Sequence, residues 1–172
     1  MFDPIVFDNL KVVVEGEIYD LDLEGIISVV NREDLVDLAQ FSRLYCISFQ
    51  RRSTVTATMK LTTDLDNIYA ELSTRKQRKE RPACRVEVHF TLQDAKPFSD
   101  EMCEEIQNTM VDLWGGDYPI EQKISYIYGS NHYENKVTVA FNRFIYEDQV
   151  DDLIQMIDYM LKTLEKLGAI YP

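Results

Sequence analysis

Residues 123–167 constrain the fold of this chain more strongly than any other stretch. Residues 123–128 and 136–144 each carry a pattern typical of a β-strand, and the polar loop 129–132 is short enough to join them as a hairpin. Apolar side chains then recur at helical spacing from Val150 to Leu167. The sequence therefore predicts a β-hairpin whose buried face is closed by a long amphipathic helix.

A second, shorter hairpin–helix pattern occurs earlier in the chain. Residues 44–50 and 54–62 are strand-like, and the link Arg51-Arg52-Ser53 between them is short. Asp64 is well placed to cap the helix that follows, whose apolar face begins at Leu65. The apolar side chains of this unit have the same spacing as those of the C-terminal unit.

This repeated spacing predicts an internal duplication. We expect two similar halves, residues 1–82 and 83–172, each with the order β-α-β-β-α and both within one compact domain. The first half carries further residues at its start. Residues 10–15, 18–23 and 26–30 are expected to form a small strand meander, because the first run contains three consecutive valines and the second alternates in polarity.

Three further elements complete the expected fold. Asn31 can cap a short helix with an apolar face at Leu35. Residues 84–92 alternate cleanly between apolar and polar side chains, which indicates a strand with one buried and one wetter face. A helix is expected between Ser99 and Gly115. The predicted fold class is α+β, an antiparallel or mixed β-sheet with its helices packed mainly on one face.

Composition and charge exclude several classes of protein. The chain of 172 residues has a formal net charge of −12, so phosphate backbones and anionic lipids repel it at long range. It has no apolar run long enough to span a bilayer, and the first residues lack the pattern of a secretory signal. Its three cysteines are widely spaced and form no metal-binding motif. We therefore expect a cytoplasmic protein that does not bind membranes.

The positive charge of the chain is concentrated in one region. Residues 43–85 hold ten Lys or Arg and four Asp or Glu, although the whole chain is acidic. This asymmetry can steer an anionic partner to one patch. The alternative is a solvated helix end that runs into a linker, and nucleic acid is disfavoured because no aromatic residues are interleaved with the charges. The candidate binding residues are Arg51, Arg52, Arg75, Lys76, Arg78, Lys79, Arg81 and Arg85.

A second group of residues could line a pocket. His89 is expected on the polar face of its strand beside Glu87, and His132 lies in the hairpin loop. Tyr126 and Tyr128 precede that loop and carry hydroxyl groups that can bind a ligand. The alternative is that the tyrosines pack across strands and the histidines are ordinary surface residues. No spacing typical of a catalytic site is present, so no catalytic residue is predicted.

One short segment resembles the start of a calcium-binding loop. Asp20 and Asp22 alternate with apolar residues and are followed by Gly25. Asn31, however, stands where such a loop needs a bidentate glutamate. We therefore predict no metal site and no cofactor, and expect the two aspartates on the wet side of an edge strand.

These observations predict a non-enzymatic binding or regulatory protein of the cytosol. It is expected to act through protein–protein contacts, with a protein partner or with a second copy of itself. One alternative is a small-molecule-binding protein or an enzyme with a pocket between the two halves. The other is an anion or RNA binder that uses the basic segment, although nucleic acid is the less favoured partner.

Overall fold

The computed structural model describes residues 5–72 and 82–171 of the chain, and side chains from residue 70 to residue 72 are not considered. Within these residues the helices are α1 (Ile5–Leu23), α2 (Leu65–Leu72), α3 (Asp100–Trp114) and α4 (Val150–Ile170). The strands are β1 (Ser28–Asp37), β2 (Ser42–Gln50), β3 (Thr56–Thr63), β4 (Cys84–Asp94), β5 (Ile120–Tyr126) and β6 (Tyr133–Ile145). A short 3₁₀ turn, Glu147–Gln149, leads into α4. None of these helices is both long and apolar enough to cross a membrane.

The strands form one six-stranded sheet in the order β1-β2-β3-β4-β6-β5. Every neighbouring pair is antiparallel. The predicted α+β class and the antiparallel sheet are therefore confirmed. This order makes β1 and β5 the two edges of the sheet, which matters for what the protein can bind.

The core follows from the alternation of side chains along the strands. Ile47 on β2, Met59 on β3 and Val88 on β4 are fully buried and lie in register with one another. They belong to one apolar cluster that also contains buried side chains of α1, α3 and α4, such as Leu10 and Ile106. Residues between the buried positions, including Lys60 and Glu87, form a second and more polar face.

The N-terminal strand meander is a wrong prediction, because residues 5–23 form the single helix α1. Its buried side chains Phe7, Leu10, Val14 and Ile18 recur at helical spacing and dock on the core. Consecutive valines weaken helix propensity only slightly, so the burial of one complete helix face decides the structure. The strand expected at residues 26–30 is confirmed only as the start of β1.

The short helix predicted after Asn31 is also wrong, because this segment forms β1. Its side chains pair along β2, with Glu33 opposite Cys46 and Leu35 opposite Leu44. Not one residue of β1 is fully buried. The apolar side chains of this segment therefore make no buried contact that could stabilise a helix here. The ladder to β2 satisfies backbone groups on one side of the strand and fixes the extended conformation.

The later elements agree with the sequence predictions. The hairpins β2–β3 and β5–β6, the strand β4 and the helices α2, α3 and α4 are all present. The Asp64 side chain accepts a hydrogen bond from the Asn67 backbone at 3.1 Å, and Ser99 accepts one from Met102 at 3.2 Å. These are the N-caps expected for α2 and α3.

The two halves differ in the order of their elements. Residues 84–170 have the predicted order β-α-β-β-α, whereas residues 5–72 have the order α-β-β-β-α. The predicted order is therefore wrong for the first half. Each half ends in a hairpin followed by a helix, and a common origin of the halves stays a prediction.

Candidate functional site

The edge strand β1 is the most accessible part of the sheet. Its ten residues are exposed or half-buried throughout. Among them Val30, Leu35 and Val36 are about half exposed, and Leu38 is 77% exposed in the turn that follows. Proteins usually shorten such an edge or cover it, because its free backbone groups can pair with another chain. Here a long edge strand with apolar side chains faces outward.

The helix α1 presents a second apolar surface beside this edge. Ile5, Val12 and Tyr19 follow one another at seven-residue spacing, and Leu23 lies on the same line. All four are exposed, and Leu23 is 86% exposed. They lie on the side of the helix opposite its buried residues, so α1 is apolar on two sides. A helix of this kind has one face that the core of its own chain leaves uncovered.

A row of ion pairs connects α1 to β1. The Asp34 carboxylate accepts hydrogen bonds from Lys11 at 2.8 Å and from Arg43 at 2.9 Å, and Glu15 pairs with Arg32. Burial opposes ionisation of Asp34, but the bonds from Lys11 and Arg43 outweigh it and hold the pKa of this carboxyl below its ordinary value. Around the helix, these ion pairs lie between the core and the exposed apolar line. We call the β1 edge, this row and the exposed side of α1 together the α1–β1 surface.

The remaining charges of the α1–β1 surface are negative. Its three basic residues are used in the ion pairs described above. Glu33 and Asp37 have no cationic partner among the residues that the structure describes, and the same holds for four acids near the end of α1. Those acids are Glu17, Asp20, Asp22 and Glu24. The surface therefore combines exposed apolar side chains with a net negative charge.

The predicted basic site is brought together only in part. Arg51 and Arg52 lie in the β2–β3 turn, where Arg51 contacts Glu165 of α4 at 3.3 Å. Arg85 is on β4, opposite Thr62 at the other end of β3, and stacks over the ring of Phe144 at 4.9 Å. At ~3.4 Å per residue, about 20 Å of strand separates these two places. The candidates Arg75, Lys76, Arg78, Lys79 and Arg81 lie outside the described residues.

The predicted pocket residues fall into two separate groups. Glu87 and His89 are neighbours on the polar face of β4, with 3.5 Å between carboxylate and imidazole. The contact with His89 lowers the pKa of Glu87. Tyr126, Tyr128 and His132 lie at the tip of the β5–β6 hairpin, about 17 Å further along β6 at ~3.4 Å per residue. The structure does not bring the two groups together.

A cavity lies on the polar face of the sheet, and of the predicted pocket residues only Glu87 lines it. The register between β4 and β6 shifts next to Arg85, and Asn142 adopts a left-handed conformation with φ of 52°. This bulge opens a cavity of about 420 Å³ whose charged side chains are Lys60, Arg85, Glu87 and Arg143. The sequence carries a trace of it, because the regular alternation of β6 is lost after Phe141.

A second cavity lies beside α3 and α4. It measures about 430 Å³ and is lined by aromatic side chains that include Trp114, Tyr118 and Tyr159. The Trp114 indole donates a hydrogen bond to the buried Thr163 hydroxyl at 3.0 Å, which fixes the ring. Its walls are mostly apolar, and the ion pair between Arg143 and Asp152 lies at its rim.

No metal-binding cluster of three or more His, Cys, Asp or Glu side chains occurs among the described residues. Asp20 and Asp22 belong to the last turns of α1 and not to an edge strand as expected. The cysteines Cys46, Cys84 and Cys103 are free thiols. Burial raises the pKa of Cys46, which disfavours its reactive thiolate form.

Comparison with known proteins gives no relative. The chain matches no protein-family model, no curated protein and no solved structure at a significant level.

Proposed function

We propose that this protein is a cytosolic binding protein that acts through protein–protein contacts and also associates with itself. The observation that carries the proposal is the β1 edge, ten residues long and without one buried side chain. An extended segment of a partner can add to such an edge as a further strand. Backbone hydrogen bonds then provide affinity, and the apolar side chains of the α1–β1 surface provide selectivity.

The charges of this surface define the partner. Each basic side chain of the α1–β1 surface is paired with an acid of the same chain, so the charges left for a partner are acidic. An extended segment that alternates basic and apolar residues complements this pattern. Its apolar residues would contact Val36 on one face of β1, and its basic residues would face Glu33 on the other.

A second copy of the chain fits the β1 edge poorly. In a symmetric antiparallel pair, the residue on the two-fold axis lies opposite itself. Centring such a pair on Arg32, Glu33 or Asp34 places like charges against each other. Pairing in these registers is therefore disfavoured, and a different protein with a complementary segment fits the β1 edge better.

The proposal is tested with three peptides, of which one pair differs only in charge and another pair only in apolar content. Peptides alternating valine with lysine, valine with glutamate and serine with lysine are titrated against the full chain, and fluorescence anisotropy is recorded. The valine–lysine peptide is expected to bind most tightly. Equal binding of the first two peptides removes the charge argument, and equal binding of the first and third removes the apolar one.

Substitutions then locate the binding surface. V36S and E33K are each expected to weaken binding of the valine–lysine peptide about fivefold or more, because one removes apolar contact area and the other reverses a charge. V111S and E104K on the exposed side of α3 are the matched controls and are expected to bind as the unmodified chain does. If the four variants bind alike, the peptide does not occupy the α1–β1 surface.

The bulge cavity supports a second candidate function, the binding of a small anion. Its charged side chains are the basic Lys60, Arg85 and Arg143 and the acidic Glu87. Arg143 is paired with Asp152, which leaves Lys60 of the first half and Arg85 of the second to bind the anion. Pyrophosphate is a suitable probe, with thermal unfolding as the readout. A stabilisation that K60Q and R85Q both abolish supports the site, and the same stabilisation in K60Q and the unmodified chain excludes it.

A further inference from the structure

The second edge of the sheet has a symmetric sequence. Residues 118–126 read Tyr-Pro-Ile-Glu-Gln-Lys-Ile-Ser-Tyr, and Gln122 is at their centre. Glu121 and Lys123 flank Gln122 at one residue on either side, and Ile120 and Ile124 flank it at two. An isoleucine therefore matches an isoleucine, and an acid matches a base. Such a strand complements a second copy of itself in antiparallel orientation.

The backbone of β5 has the phase that this pairing needs. The Ala140 N–H donates to the Pro119 carbonyl at 3.0 Å, and the Ile127 N–H donates to the His132 carbonyl at 3.2 Å. Pro119 and Ile127, which make these bonds to β6, are both odd-numbered. Along an antiparallel strand, the backbone groups of successive residues point alternately to one neighbouring strand and to the other. The even-numbered residues Ile120, Gln122 and Ile124 therefore direct their N–H and C=O groups toward the free edge.

Pro119 does not block pairing of the free β5 edge with another strand. Proline has no N–H, and on an edge strand it can block pairing with another chain. Here the backbone of Pro119 faces β6, where its carbonyl is already bonded. The outward ladder of β5 consequently keeps all its donors.

Gln122 is held firmly from the other side. Its amide nitrogen donates to the Cys103 carbonyl at 2.8 Å and to the Gln107 side chain at 3.1 Å, and its amide oxygen accepts from Asn135 at 2.9 Å. These bonds fasten the centre of β5 to α3 and β6. The strand is thus already ordered before a partner arrives, which lowers the entropic cost of pairing.

We infer that two copies of this protein associate by antiparallel pairing of their β5 strands about a two-fold axis at Gln122. The pairing places Ile120 opposite Ile124 of the second copy and Glu121 opposite its Lys123. About six backbone hydrogen bonds form across the three central pairs of even-numbered residues. The two six-stranded sheets become one continuous sheet.

Other symmetric registers of β5 fit less well. Centring on Lys123 keeps the phase but opposes two lysines and places Glu121 opposite Ser125. Centring on Ile124 keeps the phase but places Lys123 opposite Ser125 and Glu121 opposite Ile127, so the charge pairs are lost. Only the register at Gln122 satisfies the charges and the isoleucines together.

This inference rests on the self-association in the proposed function and adds the surface that performs it. It does not depend on β1, which lies at the opposite edge of the sheet. The two proposals can therefore fail separately. A monomeric protein excludes self-association altogether, whereas a dimer that is indifferent to changes in β5 excludes only the surface inferred here.

Charge reversal tests the pairing by sedimentation and light scattering of the full chain. E121K and K123E each place like charges opposite one another, and each is expected to weaken the dimer roughly tenfold or more. The double variant E121K/K123E restores opposite charges and is expected to dimerise as the unmodified chain does. A mixture of the two single variants is expected to form heterodimers. Circular dichroism confirms that each variant is folded.

Cysteine substitution tests the register. Glu121 and Lys123 of the second copy form a pair without backbone hydrogen bonds, whose Cα atoms lie about 4.5 Å apart, within reach of a disulfide. E121C/K123C is expected to form a disulfide-linked dimer under mild oxidation, whereas E121C and K123C alone are not. Efficient cross-linking of K123C alone contradicts the register. A failure of the double variant to recover dimerisation in the charge experiment overturns the pairing itself.

Discussion

The docking of α1 gives the sharpest test of the fold, because a helix and a strand place its side chains differently. In a strand, Leu10, Val12 and Val14 would share one face. In the structure Leu10 and Val14 are fully buried, whereas Val12 is 60% exposed on the opposite side of the helix. Truncation of each residue to alanine separates the two possibilities.

The expected effects follow from these exposures. L10A removes a completely buried leucine and is expected to lower the free energy of unfolding by about 3 kcal/mol. V14A removes less volume and is expected to cost about 2 kcal/mol. V12A removes an exposed side chain from a helix and is expected to change stability by no more than about 0.5 kcal/mol, since alanine has the higher helix propensity.

Urea unfolding followed by circular dichroism and by the fluorescence of the single tryptophan measures these differences. In a domain of this size the L10A change corresponds to a fall in Tm of roughly 6–12 °C. A loss of stability in V12A equal to that in L10A would refute the helical docking of α1. It would instead support the strand predicted for residues 10–15 from their three consecutive valines.

Three further predictions test other parts of the structure. D34N is expected to reduce the loss of stability at acid pH. The pKa of Asp34 is lower in the folded chain than its ordinary value of 3.8, so the ionised carboxylate stabilises the fold above pH 3.8, and this stabilisation is lost as the pH falls through the pKa of the folded chain. Urea unfolding at a series of pH values measures this, and an equal acid loss in D34N and the unmodified chain contradicts it. T163V leaves the Trp114 indole without its acceptor and is expected to cost about 1–3 kcal/mol, with a changed tryptophan emission as the second readout. G16A is expected to stabilise the protein by about 0.5–1 kcal/mol in thermal unfolding, because Gly16 lies inside α1 with open space around it, and destabilisation would show that the position is crowded.

Much of the fold could be predicted because the relevant signals are local. The alternation along β4 and the caps at Asp64 and Ser99 each depend on residues close together in the sequence. The two failures occurred where local signals pointed the wrong way. The run that includes Val12 looks like a strand, and Leu35 with Leu38 looks like a helix face, until tertiary contacts decide between them.

The surfaces could not be predicted for a different reason. Whether a strand is an edge depends on the order of strands in the sheet, and that order is set by long-range pairing such as that of β4 with β6. The symmetric sequence around Gln122 was visible, but it acquires meaning only once β5 is known to have a free side. The bulge cavity likewise needs residues from both halves of the chain, such as Lys60 and Arg143.

In the proposed function, the β1 edge receives a strand from another protein. Amide hydrogen exchange of the full chain, read residue by residue by NMR with and without the valine–lysine peptide, tests it directly. We expect the peptide to slow exchange at alternate amides of β1, where the added strand bonds, and to leave β5 unchanged. Binding of the peptide without any new protection in β1 would contradict the claim.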